Sequence, residues 1–501
     1  MPKCGVLLVA AEAAPLANMG GIAEYILGLA GALRRQGHEV RIALPGYAFL
    51  TDSAKPLSER FVVELGVGAT QVGTVCETSV AVPGDGDLQL PVYLFSGHPH
   101  FATVRDGKDL YNWPNHEPWI AFCRSIVSFF GSQIPKWMPE VIQCHDAQAA
   151  LVPVYIKHLR DIKADAPIAD VRTVLTIHNL LSQGIGDPGL VTYAGLPSSL
   201  FSINCFEYYG RANCLKAGLL SADTVNAVSR TYAEEICSSP DFGFGLEGVL
   251  LGLRRSGRLH GILNGIDESR WRMPGLKYDG SDPVDRIVRA RKNARRTLYA
   301  DWKWKDDDTP VMSFRARWDE QKGVRILAEN MQEMTGFARC IISTGEVPGT
   351  TPELRNVWGI LVELAKAQPD RLVLNPPQLA PASATALHYT ISDFLLMPSR
   401  YEPCGLAQME CQRYGVIPIV RKTGGLADTV SELETGRLPS PNGFVFEDLL
   451  IEHDMVETAR RAFRAFQDKA YFERLIKNTL LQKNSWDTRI AQYEALYGGR
   501  L

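Results

Sequence analysis

The sequence predicts an α/β protein with two Rossmann-like lobes, each a doubly wound parallel sheet, facing a central cleft. Short apolar runs alternate with helical periodicity, a glycine-rich loop follows the first run, and a second α/β series begins near Pro310. Continuous apolar runs are typical of parallel strands covered on both faces, and strand–helix alternation predicts parallel sheets. Ligands of such sheets bind beyond the carboxyl ends of the strands, so we expect the functional residues there.

The first predicted lobe, residues 1–265, begins with a βαβ unit. Cys4–Ala11 is an apolar strand, Gly20-Gly21 lies in the following loop, and residues 22–36 have a helical period that ends at Gly37. A further helix is predicted over 119–131, and the remaining strands are predicted at 39–44, 61–65, 91–95, 141–144, 173–176 and 224–227.

The second predicted lobe covers residues 266–480. A polar stretch near its start, with Pro274, Gly275, Gly280, Ser281 and Pro283, suits a linker. The residues after 480 belong to an amphipathic segment, 479–497, that we expect to form one C-terminal helix returning to the first lobe. The strands of the second lobe are predicted at 310–314, 340–343, 371–374, 394–397 and 417–420.

The composition is that of an ordinary globular protein. Of the 501 residues, 46% are hydrophobic and 22% charged, and the net charge is −3, which argues against binding nucleic acid by bulk charge. The ten cysteines form no CxxC pair, so zinc ribbons and redox dithiols are not expected. Without an apolar run of membrane-spanning length, we expect no membrane partner and a cytoplasmic location, or a plastid one if a transit peptide has been removed.

The strongest motif is the segment 399–410, which follows the apolar strand at 394–397. Pro403 and Gly405 shape a turn, and the helix that we predict from Leu406 offers free N–H groups to a polar or anionic ligand. Glu402 at the strand end and Glu410 two helical turns away can bracket such a ligand. The alternative for two glutamates at this spacing, a helix cap and a solvated side chain, is less favoured in this strand–turn–helix context.

Cations follow the predicted strand that ends near residue 315. Arg317 and Lys322 suit a diphosphate leaving group, because fixed cations stabilise the negative charge that develops as a bond to a sugar breaks. A surface charge cluster is the alternative. Gly424-Gly425, after the strand at 417–420, allows close approach of the backbone to a ligand, although for the pair taken alone a plain turn is the favoured interpretation.

Two predicted strands of the first lobe end in polar pairs. His178-Asn179 follows the strand at 173–176, and His145-Asp146 follows the strand at 141–144. At a sheet's carboxyl edge these side chains can hydrogen-bond a sugar, while a purely structural histidine is the competing interpretation.

Taken together, these motifs closely resemble the bacterial glycogen synthase and plant starch synthase family along nearly the whole chain. The matching segments are Gly20-Gly21, 145–146, 176–180, 215–219 with 222–223, 263–267, 319–323, 398–408 and 421–428. The resemblance implies a two-lobed GT-B type glycosyltransferase that needs no metal or other cofactor. It implies retaining transfer of glucose from ADP-glucose to the non-reducing end of an α-1,4-glucan, so the partners are a nucleotide sugar and a glucan. The sequence does not indicate an oligomeric state.

The resemblance also implies roles for individual residues. The residues expected to be catalytic are His178, Glu402, Arg317 and Lys322. Of these, His178 would contact the glucose, and Arg317 and Lys322 would bind the diphosphate. The residues expected to bind the donor are Gly20, Gly21, Cys404, Gly405, Leu406, Glu410, Gly424 and Gly425, with Glu410 towards the ribose. The residues expected to line the cleft on the acceptor side are Asp146, Asn179, Tyr111 and Asn264.

Three positions depart from the family pattern. Asn18 stands where the family has lysine, Ser182 where it has an aromatic residue, and Ala380 near the place of an aromatic residue beneath the base. Two alternatives therefore stay open beside an active synthase. One is a catalytically impaired paralogue that binds glucan or a synthase partner, and the other is a transferase that uses another nucleotide sugar or a small acceptor.

Overall fold

The chain was analysed as a computed structural model, which describes residues 3–52, 54–57, 60–66, 70–96, 98–107, 109–111, 115–132, 135–278, 284–344, 351–380, 382–432, 440–447 and 454–501. Two compact units are present, one comprising Met1–Asp267 with Ser485–Leu501 and the other Glu268–Asn484. The predicted boundaries at 265 and 480 lie close to these limits. Of the predicted linker, Gly280, Ser281 and Pro283 lie outside the described residues.

The first unit contains most of the strands described. Its strands are β1 (Gly5–Val9), β2 (Glu39–Pro45), β3 (Lys55–Pro56), β4 (Phe61–Glu64), β5 (Thr70–Val82), β6 (Asp85–Ser96), β7 (Val141–His145), β8 (Arg172–Ile177), β9 (Ile185–Gly186), β10 (Glu207–Tyr208), β11 (Arg211–Asn213), β12 (Thr224–Ala227) and β13 (Leu259–Gly261). Its first ten helices are α1 (Gly21–Arg35), α2 (Ala48–Thr51), α3 (Glu117–Phe130), α4 (Asp146–Ala149), α5 (Leu151–Asp161), α6 (Gly189–Tyr193), α7 (Cys214–Ser221), α8 (Arg230–Glu235), α9 (Pro240–Gly243) and α10 (Glu247–Arg255).

The main sheet of this unit has a parallel centre, as predicted. Its order is β13-β12-β8-β7-β1-β2-β6-β5-β3, and β4 pairs with β5. All five residues of β1 are buried, because helices cover both faces of a central strand. The carboxyl ends of β7 and β8 lie side by side, with His145 paired to Thr176.

One edge of this sheet was not predicted. The segment at 61–65 was assigned to the parallel series, but β4 runs antiparallel to β5, as do β3 and β6. The long strand β5 was missed because polar and apolar residues are mixed along it and most are only partly buried or exposed, so it lacks a continuous apolar run. A small sheet of β10, β11 and β9 was also not anticipated.

The second unit has the alternation expected of a doubly wound sheet. Its strands are β14 (Val311–Arg315), β15 (Arg339–Ser343), β16 (Leu372–Leu374), β17 (Phe394–Met397), β18 (Ile417–Arg421) and β19 (Phe444–Phe446). Its helices are α11 (Val284–Trp302), α12 (Val324–Thr335), α13 (Pro352–Ala367), α14 (Thr385–Ile391), α15 (Ala407–Gln412), α16 (Gly424–Thr429), α17 (Asp454–Gln467) and α18 (Lys469–Leu480).

The order of this sheet places a topological switch point at its centre. The strands follow the order β16-β15-β14-β17-β18-β19, and the five pairings are parallel. The chain moves outward from β14 in one direction and then resumes at β17 in the other. Such a switch point opens a crevice beyond the carboxyl ends of the two strands, and these ends are followed by the segments that carry Lys322 and Glu402.

The single C-terminal helix predicted for 479–497 is wrong. Helix α18 ends at Leu480, residues Trp486–Thr488 form a short 3₁₀ turn, and α19 (Ile490–Tyr497) belongs to the first unit. The break allows Trp486 to pack where a Cβ on Gly28 of α1 would come within 1.9 Å of its ring nitrogen. Gly28 is therefore needed for this close approach.

Candidate active-site residues

Two histidines meet at the carboxyl edge of the first unit's sheet. The Nδ1 atom of His145 lies 3.0 Å from Nε2 of His178. Burial lowers the pKa of His178 to about 3, and burial together with His178 lowers the pKa of His145. Both imidazoles are therefore neutral near pH 7, so His178 acts as a hydrogen-bonding group and not as a fixed cation.

Asp146 holds the turn that carries His178. Its Oδ1 accepts the N–H of His178 at 2.7 Å and that of Asn179 at 3.4 Å. Asp146 is buried and adopts a left-handed backbone with φ of 54°, and burial raises its pKa to about 7. These two contacts of Asp146 are with the backbone of the turn, and a role in lining the cleft stays a prediction.

A buried polar layer beneath the histidines was not found from the sequence. Tyr25 of α1 makes edge contacts with both imidazoles, with ring centroids 5.3 Å from His145 and 4.6 Å from His178. The Tyr25 hydroxyl lies 2.7 Å from the hydroxyl of Tyr493 and accepts from Gln143 Nε2 at 3.0 Å. The only sequence signal for this layer was a glutamine inside the apolar strand β7.

The Gly20-Gly21 loop is organised by a second residue that the sequence reasoning missed. Glu12 is buried and accepts the N–H groups of Met19 at 2.6 Å and Gly20 at 3.1 Å. The hydroxyl of Tyr111 donates to the same carboxyl group at 3.1 Å. Gly20 and Gly21 were expected to bind the donor. The N–H of Gly20 donates to a carboxyl group of the chain itself and Gly21 begins α1, so their contact with the donor stays a prediction.

The remaining candidates of this unit differ in their surroundings. Asn179 accepts the N–H of Leu181 through its own Oδ1 at 3.0 Å, so its carbonyl is used within the turn. Asn264 is buried, and within the described part of the chain its Oδ1 has no hydrogen-bond partner. Asn18 is exposed, and its Nδ2 donates to Glu24 at 3.4 Å.

In the second unit the structure brings together Lys322 and Glu402, whose segments follow β14 and β17. The ammonium group lies 2.7 and 2.9 Å from the two carboxylate oxygens, and Ser399 Oγ donates to the same carboxylate at 2.8 Å. Lys322 is mostly enclosed, with 19% of its side chain exposed, whereas 73% of the Arg317 side chain is exposed. Arg317 pairs instead with Asp319 at 3.2 Å.

The turn after Glu402 presents backbone donors as predicted from its shape. Gly405 adopts a φ of 69°, which a residue with a side chain rarely takes. Among the described residues, the N–H groups of Gly405 and Leu406 donate no hydrogen bond, while Cys404 is buried. These donors can therefore serve oxygen atoms of a ligand.

The Gly424-Gly425 pair packs against the backbone of this turn. A Cβ on Gly424 would lie 1.9 Å from the carbonyl oxygen of Glu402, and one on Gly425 would lie 2.1 Å from that of Cys404. The N–H of Gly425 donates to the Glu402 carbonyl at 3.1 Å. The structure thus gives the pair a packing function, and direct contact with the donor stays a prediction.

Glu410 lies in α15, and Ala380 lies in the loop between β16 and α14. Glu410 accepts the hydroxyl of Tyr389 at 3.0 Å, and Tyr389 is buried, as is His388. Ala380 is exposed after a 3₁₀ turn, and Arg315 donates to the carbonyl of Leu379 at 2.9 Å. Because the rings of His388 and Tyr389 are buried, neither ring is exposed to stack on a nucleotide base in place of the missing aromatic residue.

Within the described ranges, no group of three or more histidine, cysteine, aspartate or glutamate side chains could hold a metal ion. None of the helices in that part of the chain combines the length and apolar character that a bilayer span requires.

Comparison with known proteins identifies two matching families. Residues 5–252 match the starch synthase catalytic domain family, and residues 380–453 match the group 1 glycosyl transferases. The glycogen synthase of Geotalea uraniireducens is 36% identical over 98% of both chains, and glycogen synthase 2 of Geobacter sulfurreducens is 35% identical over 98% of both.

Solved structures give the same result. The catalytic domain of starch synthase IV from Arabidopsis thaliana, bound to ADP and acarbose, matches 99% of both chains with a TM-score of 0.82 and 27% identity. Sucrose-phosphate synthase from Thermosynechococcus elongatus shares the fold with a TM-score of 0.57. The predicted α/β class of the GT-B type is confirmed. Since its relatives align over nearly their whole length at more than a third identity, this chain belongs to the bacterial glycogen synthase and plant starch synthase family.

Proposed function

We propose that this glycosyltransferase moves glucose from ADP-glucose to the non-reducing end of an α-1,4-glucan, with retention of configuration. The glycogen synthase relatives support the reaction, and the ADP and acarbose bound to the starch synthase neighbour support the donor and the glucan-like acceptor. The proposal includes the cytoplasmic location expected from the sequence.

One observation carries the assignment most directly. Lys322 and Glu402, 80 residues apart in the chain, meet beside the switch point of the second unit's sheet. A cation and a carboxylate in contact there can bind the two parts of a nucleotide-sugar donor. The ammonium group would bind the diphosphate, and the carboxylate would accept hydrogen bonds from the sugar hydroxyls. The free N–H groups of Gly405 and Leu406 extend the hydroxyl-binding surface.

In the proposed reaction these groups stabilise the negative charge that develops on the leaving group. When the bond between the sugar and the diphosphate breaks, negative charge develops on the leaving oxygen, and Lys322 and Arg317 are the side chains that would neutralise it. Two preorganised cations can take the place of a metal ion in this task, so we infer that no metal or other cofactor is needed. His178 is assigned to the glucose as a neutral hydrogen-bonding group.

The test is to incubate the protein with labelled ADP-, UDP- or GDP-glucose and with glycogen or a maltooligosaccharide. Elongation from ADP-glucose, with free ADP in equal amount, is the expected result. Matched reactions with Glu402→Gln should lose elongation but keep glucan binding, because the acceptor residues are left intact.

Other outcomes would contradict the proposal in distinguishable ways. Glucan binding without turnover by the unaltered chain indicates an impaired paralogue. Turnover that releases nucleotide without lengthening the glucan indicates a different acceptor. Faster elongation from UDP- or GDP-glucose contradicts the assigned donor.

A further inference from the structure

The contact between His145 and His178 admits two proton arrangements. The joined atoms are Nδ1 of His145 and Nε2 of His178, 3.0 Å apart. Two neutral imidazoles bonded in this way share one proton, so either His145 donates from Nδ1 or His178 donates from Nε2. The choice decides which atom of His178 carries its hydrogen.

The other nitrogen of His145 separates the two arrangements. Its Nε2 is buried and, among the described residues, has no hydrogen-bond partner. If His178 were the donor, His145 would carry its hydrogen on Nε2, and a buried N–H would face no acceptor. If His145 is the donor, only a lone pair is left unpaired there, and buried N–H groups without a partner are rarer than under-used acceptors.

The polar layer beneath the pair is already committed to other bonds. Gln143 Nε2 donates to Thr176 Oγ1 at 2.8 Å and to the Tyr25 hydroxyl at 3.0 Å, and its Oε1 accepts from Tyr497 at 2.5 Å. The Tyr25 hydroxyl also lies 2.7 Å from the Tyr493 hydroxyl, where either oxygen can be the donor. This layer fixes the amide orientation and holds the ring of Tyr25 against both histidines.

We propose that His145 is a positioning residue, which donates from Nδ1 to His178 Nε2 and so fixes the tautomer in which His178 presents an Nδ1–H donor to the ligand. His178 is only partly buried, and no bond to its Nδ1 is found within the described ranges. The inference rests on the proposed function only in taking that ligand to be a sugar hydroxyl. A donor at this atom binds an oxygen lone pair and cannot act there as a base.

The protonated atom is measured in the protein without substrate. We expect long-range ¹H–¹⁵N spectra of ¹⁵N-histidine-labelled protein to show His178 with its hydrogen on Nδ1, and His145 likewise. The His178→Asn protein assigns the His178 signals. A His178 resonance with the hydrogen on Nε2 would overturn the proposal, and because no turnover is involved, this result is independent of the proposed function.

Two substitutions at His145 test its effect on the reaction. In His145→Asn the amide nitrogen stands near the place of Nδ1 and can still donate, whereas His145→Gln carries the same amide one bond further out. We expect His145→Gln to lower kcat/KM about tenfold, the size of one lost hydrogen bond, and His145→Asn to retain most of it. Equal kcat/KM in the two variants, with unchanged circular dichroism, would mean that His145 only fills space.

Discussion

Asp146 shows how burial can make one carboxyl group sensitive to pH. Its pKa of about 7 in the folded chain compares with 3.8 for an ordinary aspartate, so the folded chain keeps a proton that the unfolded chain loses. The stabilisation from that proton is complete below about pH 4, declines as the pH rises, and is gone above about pH 7.

We predict that Asp146→Asn removes this dependence. Over about pH 4 to 7, the free energy of unfolding of the unaltered chain should fall relative to that of the variant, by up to about 4 kcal/mol. Denaturant unfolding at several pH values measures the difference. Parallel curves for the two proteins would show that Asp146 ionises normally.

Substitution of Lys322 and substitution of Arg317 should have different effects on the stability of the folded chain. The Arg317 side chain is mostly exposed, whereas that of Lys322 is mostly enclosed because it pairs with the buried Glu402. Either substitution by alanine should lower kcat by about a hundredfold or more, the cost of one preorganised charge donor.

Only Lys322→Ala should also lower stability, by about 3 kcal/mol, because it leaves a buried carboxylate without its cation. Thermal unfolding together with kcat tests both expectations. Normal turnover in either variant would remove that residue from the leaving-group site.

Ala380 is a residue-scale departure that can be reversed. The side chain is exposed and offers no ring face, and its neighbours His388 and Tyr389 are buried. We predict that Ala380→Tyr, combined with Asn18→Lys, tightens ADP binding about tenfold or more, since stacking on a base contributes roughly 1–3 kcal/mol. Calorimetry with ADP measures this, and Ala102→Tyr on an exposed turn is the control. If the unaltered protein already binds ADP tightly and the double variant binds it no better, then Asn18 and Ala380 do not weaken ADP binding.

At the scale of elements, the turn after β17 depends on the first turn of α16. Gly424 has a φ of 43° and no room for a Cβ beside the Glu402 carbonyl. We predict that Gly424→Ala lowers the free energy of unfolding by more than about 1 kcal/mol and lowers kcat as the turn shifts. Gly359→Ala is the control, because Gly359 lies inside α13 with open space around it and should gain up to about 1 kcal/mol. Similar effects of the two changes would argue against the packing function.

Periodicity predicted those elements whose burial leaves a pattern in the sequence. Parallel strands such as β1 and β14 are buried on both faces and so read as apolar runs. Strand β5 escaped because its mixed, half-exposed residues also suit a loop, and the break before α19 escaped because an amphipathic pattern continues across it.

The candidate site was accessible only in part for a similar reason. Lys322 and Glu402 could be proposed from their positions after strands, but their contact spans 80 residues and needs the fold. Glu12 and Tyr25 lie in segments whose sequence pattern predicts only a buried core. Their link to the candidate site is visible only in their contacts with Gly20 and His178.

At the scale of the whole molecule, the first unit includes the last residues of the chain. Trp486 is buried, with its ring 5.0 Å from that of Tyr25, and it occupies the space beside Gly28. We predict that Trp486→Ala destabilises the first unit by about 3–5 kcal/mol, the usual cost of deleting a buried large aromatic.

Hydrogen exchange can localise this effect. Protection should fall in α1 and β7, which belong to the same unit, and be kept in β14 and β15, which belong to the other. Equal loss of protection in both units would show that they unfold as one cooperative body and that the segment's effect is not local.

The bond between Tyr25 and Tyr493 joins positions 468 residues apart. A chain growing on the ribosome therefore makes α1 and both histidines long before it makes the tyrosines that complete the layer beneath them. Until the residues of α19 have been made, Gln143 and Tyr25 lack these partners, and contacts of such large sequence separation form late in folding. A chain cut short by even its last helix would carry every predicted catalytic residue and still lack the support for its histidine pair.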